Sequence, residues 1–445
     1  MKLKIFRLAF FSDLCYNKLV NLLQKSGEKM LNGISKRDLK RINRMQVLRT
    51  VWEAGPISRV DLSQQLQITR ASITQITNAM IEEGLLVEIG EAPYQNQHDS
   101  KLPKGRRKIL LDINANFKFV LGAVISEQEI TVGLCTMHME ILDKASMPCD
   151  ERTSRKEMIQ FIIHASERMM NNSCLDKSSV LGLGVGVMPI MIGRMRVFYK
   201  DGMLDFSGLI RALSDYPTMP PVFCGNAVWL QALANSDLER KGILNANQVY
   251  LHLGGHIHIG VLRPEKSERD YLTYSYLTER CIVRPGGRQQ DGYPAGSVRA
   301  QLSVQAMQAR VAEVYSKERT PFLYSATDGY IERVTLEQLY QAVSSGDVRC
   351  EEVAREIMID WSILLHNLVC CFQAEKIVLH HFGLSEKGFA EFQKYVRQIA
   401  GDDIAERITC STVEGKTDFL GGCALVLLKN FYMNGGTPEQ DFQEE

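Results

Sequence analysis

The stretch ISRVDLSQQLQITRASITQITNAMIEEGLLVE, residues 57–88, constrains the fold more strongly than any other part of this chain. Its apolar residues recur at helical spacing, and Ser58 and Thr69 are residue types that cap helix N-termini. Gly84 follows the last apolar repeat, where a helix commonly ends. The stretch therefore predicts two short helices joined by a tight turn, the second of them starting after Thr69.

The flanking segments complete a winged helix-turn-helix. Upstream, apolar residues fall at helical spacing until the Ala54-Gly55-Pro56 break, which predicts a first helix. Downstream, residues 85–89 alternate weakly like a short strand, and a second strand begins at Ile109 after a polar segment that ends in KGRRK. The inward-facing residues that we predict are Leu39, Ile42, Val47, Leu48 and Val51 in the first helix, Leu62 and Leu66 in the second, and Ile73, Ile76, Met80 and Ile81 in the third.

The third helix carries the side chains expected to read DNA. In a helix-turn-helix, the N-terminal residues of the second helix of the motif reach base edges in the major groove. Arginine suits guanine, glutamine and asparagine suit adenine, and a basic wing can follow phosphates. The predicted DNA-binding residues are Ser58, Arg59, Thr69, Arg70, Ser72, Thr74, Gln75, Asn78, Lys104, Arg106 and Arg107. A polar surface helix beside a solvated basic loop is the alternative interpretation.

Composition limits the other classes of function. The 52 basic and 52 acidic residues balance, so any affinity for nucleic acid has to come from a local basic patch. The 11 cysteines are scattered with no CxxC pair, which favours free thiols in a reducing compartment. No apolar run reaches the ~18 residues that span a bilayer. We therefore expect a cytoplasmic protein with no membrane partner.

From residue 117 onward, strands and helices alternate. FVLGAVI, EITVGLCTM and EILDKASM are typical of an antiparallel meander, and VLGLGVGVM and KIVLHHFGL of buried strands. VYLHLGGHIHIGVL is typical of two strands that meet at a Gly/His turn. Helices are predicted between the strands, for example over residues 156–171, 226–240 and 351–373. The pattern predicts a two-lobed α/β body.

Three segments resemble the ROK family of repressors, and within it the glucose and N-acetylglucosamine repressors of enteric bacteria. They are GPISRVDLSQQLQITRASITQITNAMIEEGLL, ISEQEITVGL and FLGGCALVL. A Gly-Arg-Pro element of the family reads Gly105-Arg106-Arg107 here. The resemblance implies an α/β fold with a winged helix-turn-helix over residues 36–112 and a two-lobed, actin-like body of the sugar-kinase type over residues 113–430. An N-terminal extension (residues 1–35) and a polar C-terminal tail (residues 431–445) flank them.

The resemblance also implies four kinase sites, and each of them diverges in this chain. Ser126-Glu127 replaces the glycines of the first phosphate turn, and residues 254–260 carry two histidines in the second. Asn226 stands where a catalytic aspartate is expected, and an amide cannot accept a proton at neutral pH. The zinc ligands become Arg280, Gln290, Gly292 and Ser297, and a sugar-binding glutamate becomes Leu277. We therefore expect no catalytic residues, no bound nucleotide or other cofactor, and no metal.

His252, His256 and His258 lie in one short stretch. His256 and His258 share a face if the segment is a strand, which would suit a metal, but such pairs are more often polar turn residues. The sequence leaves Asn226, His256, His258 and Arg280 as the residues of an effector cleft.

The leading hypothesis is a sequence-specific transcriptional regulator, specifically a repressor, that binds double-stranded DNA. Its inactive body would form a homodimer or homotetramer and bind a carbohydrate-like small molecule or a protein as effector. The alternatives are a ROK-type sugar kinase with an attached DNA-binding domain, and an interaction scaffold in which the helix-turn-helix has no reading function.

Overall fold

A computed structural model describes residues 36–91, 108–200, 203–238, 247–262, 275–413 and 417–436. The chain divides into two compact units. The first unit contains residues 1–242 and 417–445, and the second contains residues 243–416.

The first unit begins with the elements that the sequence predicts for a winged helix-turn-helix. They are α1 (Lys36–Ala54), β1 (Ile57–Ser58), α2 (Arg59–Leu66), α3 (Arg70–Glu82), β2 (Leu86–Glu91) and β3 (Ile109–Ile113). The three strands form a sheet in the order β1-β3-β2. Ser58 and Thr69 accept hydrogen bonds as N-caps of α2 and α3, and Gly84 has a left-handed φ of 78° just after α3.

The predicted inward faces of these helices are largely confirmed. Val47, Leu48, Val51 and Leu62 are fully buried, as are Ile73 and Met80. The expectation for Leu39 is wrong, because its side chain is 53% exposed. The buried face of α1 starts one turn later, at Ile42.

The remainder of the first unit is built on a five-stranded sheet in the order β10-β7-β4-β5-β6. Strands β4, β5 and β6 form the antiparallel meander expected from the sequence, and β7 pairs in parallel with both β4 and β10. A two-stranded ribbon joins β8 to β9. The strands are β4 (Phe119–Ile125), β5 (Glu129–Thr136), β6 (Ile141–Pro148), β7 (Val180–Val187), β8 (Phe198–Lys200), β9 (Met203–Asp205) and β10 (Val222–Asn226). The helices are α4 (Arg155–Asn172), α5 (Ser207–Ser214), α6 (Ala227–Leu238) and, from the C-terminal segment, α15 (Leu420–Asn430).

Helix α15 lies across β4 and β7 and packs against α6. The contact is close because glycines face each other: a Cβ added to Gly422 would overlap the carbonyl of Gly184, and the reverse also holds. No larger residue fits this backbone-to-backbone approach. The glycines of α15 and β7 therefore allow this helix to lie directly against the sheet.

The second unit has a four-stranded sheet in the order β12-β11-β13-β14. Its strands are β11 (Gln248–Leu253), β12 (Ile257–Leu262), β13 (Lys376–His380) and β14 (Ile408–Cys410). The helices are α7 (Ser275–Arg280), α8 (Val298–Leu302), α9 (Val304–Ala312), α10 (Pro321–Ala326), α11 (Leu336–Ser344), α12 (Val348–Phe372), α13 (Glu386–Ala400) and α14 (Asp402–Glu406). Asp360 of α12 is fully buried and accepts hydrogen bonds from Arg284 at 2.9 Å and Arg310 at 2.6 Å. Within the described segments, every helix is too short or too polar to span a bilayer.

Candidate nucleic-acid interface and the diverged kinase sites

Helix α3 has one exposed polar face and one buried face. Arg70, Thr74, Gln75 and Asn78 are exposed, at the spacing of one helix face. Ile73, Thr77 and Met80 are fully buried on the opposite side. The sequence analysis missed Thr77, whose hydroxyl donates to the Ile73 carbonyl at 2.9 Å and so is satisfied within the core. The polar face is therefore presented outward by a well-packed helix.

The exposed face of α3 contains two side chains that are not engaged elsewhere. Among the described residues, neither Arg70 nor Gln75 makes a side-chain hydrogen bond. In contrast, the Thr69 and Ser72 hydroxyls lie 2.9 Å apart, and Thr74 donates to the Arg70 carbonyl at 2.8 Å. Arg70 and Gln75 are thus the predicted contacts best able to exchange solvent for a base edge.

Two of the predicted DNA contacts, Ser58 and Arg59, make hydrogen bonds within the protein, and burial of Ser58 argues against its contact with DNA. Ser58 is only 2% exposed, because its hydroxyl caps α2 and donates to Asp61 at 2.6 Å. Arg59 donates to Thr77 at 3.0 Å, to Asn78 at 3.1 Å and to Glu88 at 2.9 Å. Arg59 therefore ties α3 to the wing strand β2, and it also engages the Asn78 carbonyl group. Ser58 therefore stabilises the start of α2, and Arg59 holds α3 against β2.

The predicted basic wing residues Lys104, Arg106 and Arg107 lie outside the described residues. Their neighbour Lys108 is described, and its ammonium group lies 2.7 Å from the Asp61 carboxylate. Phosphate contact by the three wing residues stays a prediction.

A buried arginine links the N-terminal helices to the C-terminal segment. The Arg44 side chain, 7% exposed, donates to the Gly435 carbonyl at 2.8 Å and pairs with Glu83 just after α3. Trp52 of α1 packs edge-on against His138 at 5.6 Å between ring centroids and lies 6.3 Å from Tyr432. These contacts fix α1 and the end of α3 to the rest of the first unit. The paired residues are distant in the sequence, so local sequence patterns do not predict these contacts.

A buried carboxylate, that of Asp237, lies near residues of α1. Asp237 of α6 is 2% exposed, and burial raises its pKa to about 7 although the charge of Arg49 favours ionisation. The neighbouring Glu53 also disfavours the charged form.

The turn that matches the first phosphate loop is closed by its own side chain. The Ser126 hydroxyl donates to the Glu129 carbonyl at 2.7 Å and accepts from the Glu129 amide at 3.1 Å. The Ser126 hydroxyl thereby occupies the Glu129 backbone amide, a donor that a glycine-rich turn would leave free to bind a phosphate.

The turn that matches the second phosphate loop contains an anion from the chain itself. Glu279 of α7 accepts a hydrogen bond from the Ile257 backbone amide at 3.0 Å, and one carboxylate oxygen lies 3.2 Å from His256. Tyr293 and Arg299 donate to it at 2.9 and 3.1 Å. Burial alone would raise the pKa of Glu279, but His256 and the hydrogen bonds from the Ile257 amide and Tyr293 lower it to about 2. A carboxylate of the protein thus occupies a backbone amide of this turn.

The segment that matches the zinc element does not fit zinc. The Arg280 guanidinium donates to the Gly292 carbonyl at 2.9 Å, and Gln290 and Ser297 form isolated β-bridges with Tyr293 and Ile282. Guanidinium, amide and hydroxyl groups are not zinc ligands, which are thiolate, imidazole or carboxylate. Hydrogen bonds hold this segment together in place of a metal.

The four residues predicted for an effector cleft lie in different units. Asn226, at the end of β10 in the first unit, is 9% exposed, and its side-chain oxygen accepts from the Val228 amide at 3.0 Å as a helix cap. His256, His258 and Arg280 lie in the second unit. The cleft stays a prediction.

The fold defines a class: a mixed α/β body preceded by helices and a small sheet in winged-helix order. A ROK family transcriptional regulator, described as a homolog of the Escherichia coli MLC protein, superposes with a TM-score of 0.64 and 16% identity, covering 89% of this chain and 97% of that chain. The ROK hexokinase from Thermus thermophilus gives a TM-score of 0.51 and 20% identity, covering 69% and 97%. The predicted fold class is confirmed for the body.

The relatives in sequence are named repressors or transcriptional regulators. The chain is 22% identical over 408 residues to the xylose repressor of Caldicellulosiruptor bescii, covering 87% of this chain and 96% of that protein. It is 28% identical over 117 residues to the DNA-binding transcriptional dual regulator NagC of Escherichia coli, covering 26% and 27%. No protein-family model matches the chain. The predicted resemblance to ROK-family repressors is confirmed by these relatives.

Proposed function

We propose that this chain is a sequence-specific DNA-binding transcriptional repressor whose ROK-type body has no kinase activity. The observation that carries the proposal is the outward face of α3, where the side chains of Arg70 and Gln75 are exposed and make no hydrogen bond to another described residue. Arginine and glutamine at this position can each form two hydrogen bonds to one base edge in the major groove. The named repressors among the relatives support the same role.

Loss of kinase activity is supported by the groups that stand at the kinase sites. Phosphoryl transfer needs backbone amides and cations around the phosphates and a base for the substrate hydroxyl. Here the Ser126 side chain closes the first turn, and the Glu279 carboxylate takes the Ile257 amide of the second. Asn226, which matches the base position, is a helix cap. A phosphate brought to the second turn would be repelled by Glu279.

The body gives a DNA reader two properties that a single winged helix lacks. A homodimer or homotetramer presents two reading helices about one DNA turn apart, and the second helix then binds at high effective concentration. An effector, carbohydrate-like or protein, would favour one arrangement of the readers over another and so change operator affinity. Repression would follow from occupancy of a promoter.

Selection of genomic fragments by the full-length protein tests DNA reading. Wild-type protein should enrich a small set of fragments that share a motif, and Arg70→Ala with Gln75→Ala should lose that enrichment. Arg355→Ala, an exposed arginine of α12 in the second unit, is the matched control and should enrich the same set. Equal enrichment by wild type and the double variant, with no shared motif, would refute the proposal.

The kinase alternative is favoured by the likeness in fold to the ROK hexokinase and is tested separately. A phosphoryl-transfer screen over hexoses, with ATP and Mg²⁺, should give no turnover above a buffer control. Turnover that disappears in Asn226→Ala would revive the alternative.

A further inference from the structure

Three histidines of the second unit lie side by side on neighbouring strands, at one end of the four-stranded sheet. His252 of β11 is the cross-strand partner of His258 in β12 and of His380 in β13. Directly paired residues project from the same face of a sheet, so the three imidazoles form a row across adjacent strands. The ring centroids of His252 and His380 lie 5.2 Å apart, and those of His252 and His258 lie 6.1 Å apart.

His381 joins this row because of its backbone conformation. Consecutive residues of an extended strand point to opposite faces, which would separate His381 from His380. His381 instead has a left-handed φ of 57°, a conformation that few non-glycine residues adopt. Its ring centroid therefore lies 3.9 Å from that of His380 and 5.2 Å from that of His252.

The ring nitrogens that these three residues present lie within 4.8 Å of one another. His380 is fully buried, His252 is 8% exposed, and His381 is exposed. Tetrahedral zinc with Zn–N distances of about 2.0–2.1 Å needs nitrogens separated by about 3.4 Å. Metal binding would therefore draw the widest pair of these nitrogens together by at most about 1.4 Å.

His258, which is not among the three proposed ligands, gives independent evidence that a ligand binds at this end of the sheet. His258 is 6% exposed, and among the described residues neither of its ring nitrogens has a hydrogen-bond partner. A buried polar group without a partner is costly and is rare in proteins unless a ligand or water satisfies it.

We propose that His252, His380 and His381 bind a divalent transition-metal ion of the zinc class. Neutral imidazole is a preferred ligand of Zn²⁺, Ni²⁺ and Cu²⁺, whereas Mg²⁺ and Ca²⁺ prefer oxygen. The buried pair His252 and His380 fixes two ligands on the sheet, and His381 completes the set at the surface. The site is distinct from the family's zinc element at residues 280–297, and it departs from the expectation of no metal in this chain.

Metal titration of the full-length protein tests the site. After EDTA treatment and dialysis, Co²⁺ and Zn²⁺ are titrated into the protein, with the visible absorption of bound Co²⁺ and calorimetry as readouts. We expect one metal per chain and a Co²⁺ spectrum of a four-coordinate site. His381→Asn removes a ligand while keeping a residue that tolerates positive φ, and it should weaken affinity by at least about 100-fold, because even second-shell losses cost 10–100-fold.

His252→Gln should weaken binding likewise, and His164→Asn, an exposed histidine of α4, should leave it unchanged. Circular dichroism verifies that each variant folds, and the exposed position of His381 keeps the test valid if His252→Gln is unstable. No binding above one-tenth of a metal per chain in the wild type, or equal affinity in His381→Asn and wild type, would overturn the proposal. Neither outcome depends on DNA binding.

Discussion

At the scale of single residues, two buried carboxylates have opposite effects on stability. Glu279 in the second unit is surrounded by donors, which lower its pKa to about 2. Asp237 in the first unit is buried beside Arg49 and Glu53, and burial raises its pKa to about 7. The first carboxylate stabilises the folded chain when ionised, whereas ionisation of the second destabilises it.

Replacement of Glu279 by Gln should destabilise the protein at pH 7, on the order of 2–3 kcal/mol. The folded pKa lies below the unfolded value, so the stabilisation is complete above about pH 5 and is lost as the pH falls toward 2. Urea unfolding of wild type and variant between pH 7 and pH 3 measures the difference, which should shrink with falling pH. A difference that is constant with pH would show that ionisation of Glu279 is not the cause.

Asp237→Asn should have the opposite dependence on pH. The folded pKa lies above the unfolded value, so the wild-type carboxylate costs stability as the pH rises through 7. The variant should gain about 1 kcal/mol relative to wild type between pH 6 and pH 8, as measured by urea unfolding at both values. Equal unfolding free energies for the two proteins at pH 8 would contradict the burial of an ionised group.

At the scale of elements, the packing of α15 on the central sheet depends on glycine. Gly422→Ala should destabilise the first unit by more than about 3 kcal/mol, because the added methyl group meets the backbone of β7. The control is Gly208→Ala in α5, where nothing lies within 4 Å of an added Cβ. The control should be neutral or stabilising by up to about 1 kcal/mol. Thermal unfolding compares the two, and a Gly422→Ala protein as stable as wild type would refute the close approach.

Most elements could be predicted from the sequence because their signals are local. Caps at Ser58 and Thr69, the glycine after α3 and the alternation in β4, β5 and β6 each arise from neighbouring residues. The periodicity of α1 did not show where its buried face begins, so Leu39 was misassigned. That boundary depends on which residues of the sheet and the C-terminal segment cover the helix.

The site residues were less predictable than the elements. Residue type suggested Arg59 and Ser58 as DNA contacts, but burial and the hydrogen bonds to Thr77 and Asp61 give them structural roles. Glu279 matched no expected position, so its place at the second phosphate turn was not foreseen. The histidine row depends on register between β11 and β13, which are more than 100 residues apart in the chain. Long-range register cannot be derived from local pattern.

At the scale of the whole molecule, we predict that binding requires two half-sites in phase. An operator recovered by selection should contain two related half-sites about one helical turn, roughly 10 base pairs, apart or a multiple of it. Insertion of half a turn between them should lower affinity strongly, and insertion of a full turn should restore part of it. Electrophoretic mobility measurements on such a series test this, and affinity that is independent of spacing would argue for single readers.

We predict that the wing residues Lys104, Arg106 and Arg107 make the affinity for DNA depend on salt concentration. Replacing Lys104, Arg106 and Arg107 by Gln should reduce the slope of log K against log[salt] by up to about 3, because each phosphate contact contributes about 0.9. Fluorescence anisotropy on the selected operator from low to physiological salt measures the slope. An unchanged slope would show that these three residues do not contact phosphates.

The central claim is that side chains of α3 read bases, and a scan of single base changes in the selected operator tests it most directly. Binding free energies of wild type and Arg70→Ala are measured for every base at each position. We predict that the wild type loses about 1–3 kcal/mol at one guanine in each half-site, and that Arg70→Ala loses this discrimination there alone. A variant that binds every sequence as the wild type does, or that weakens all of them equally, would contradict base reading by this helix.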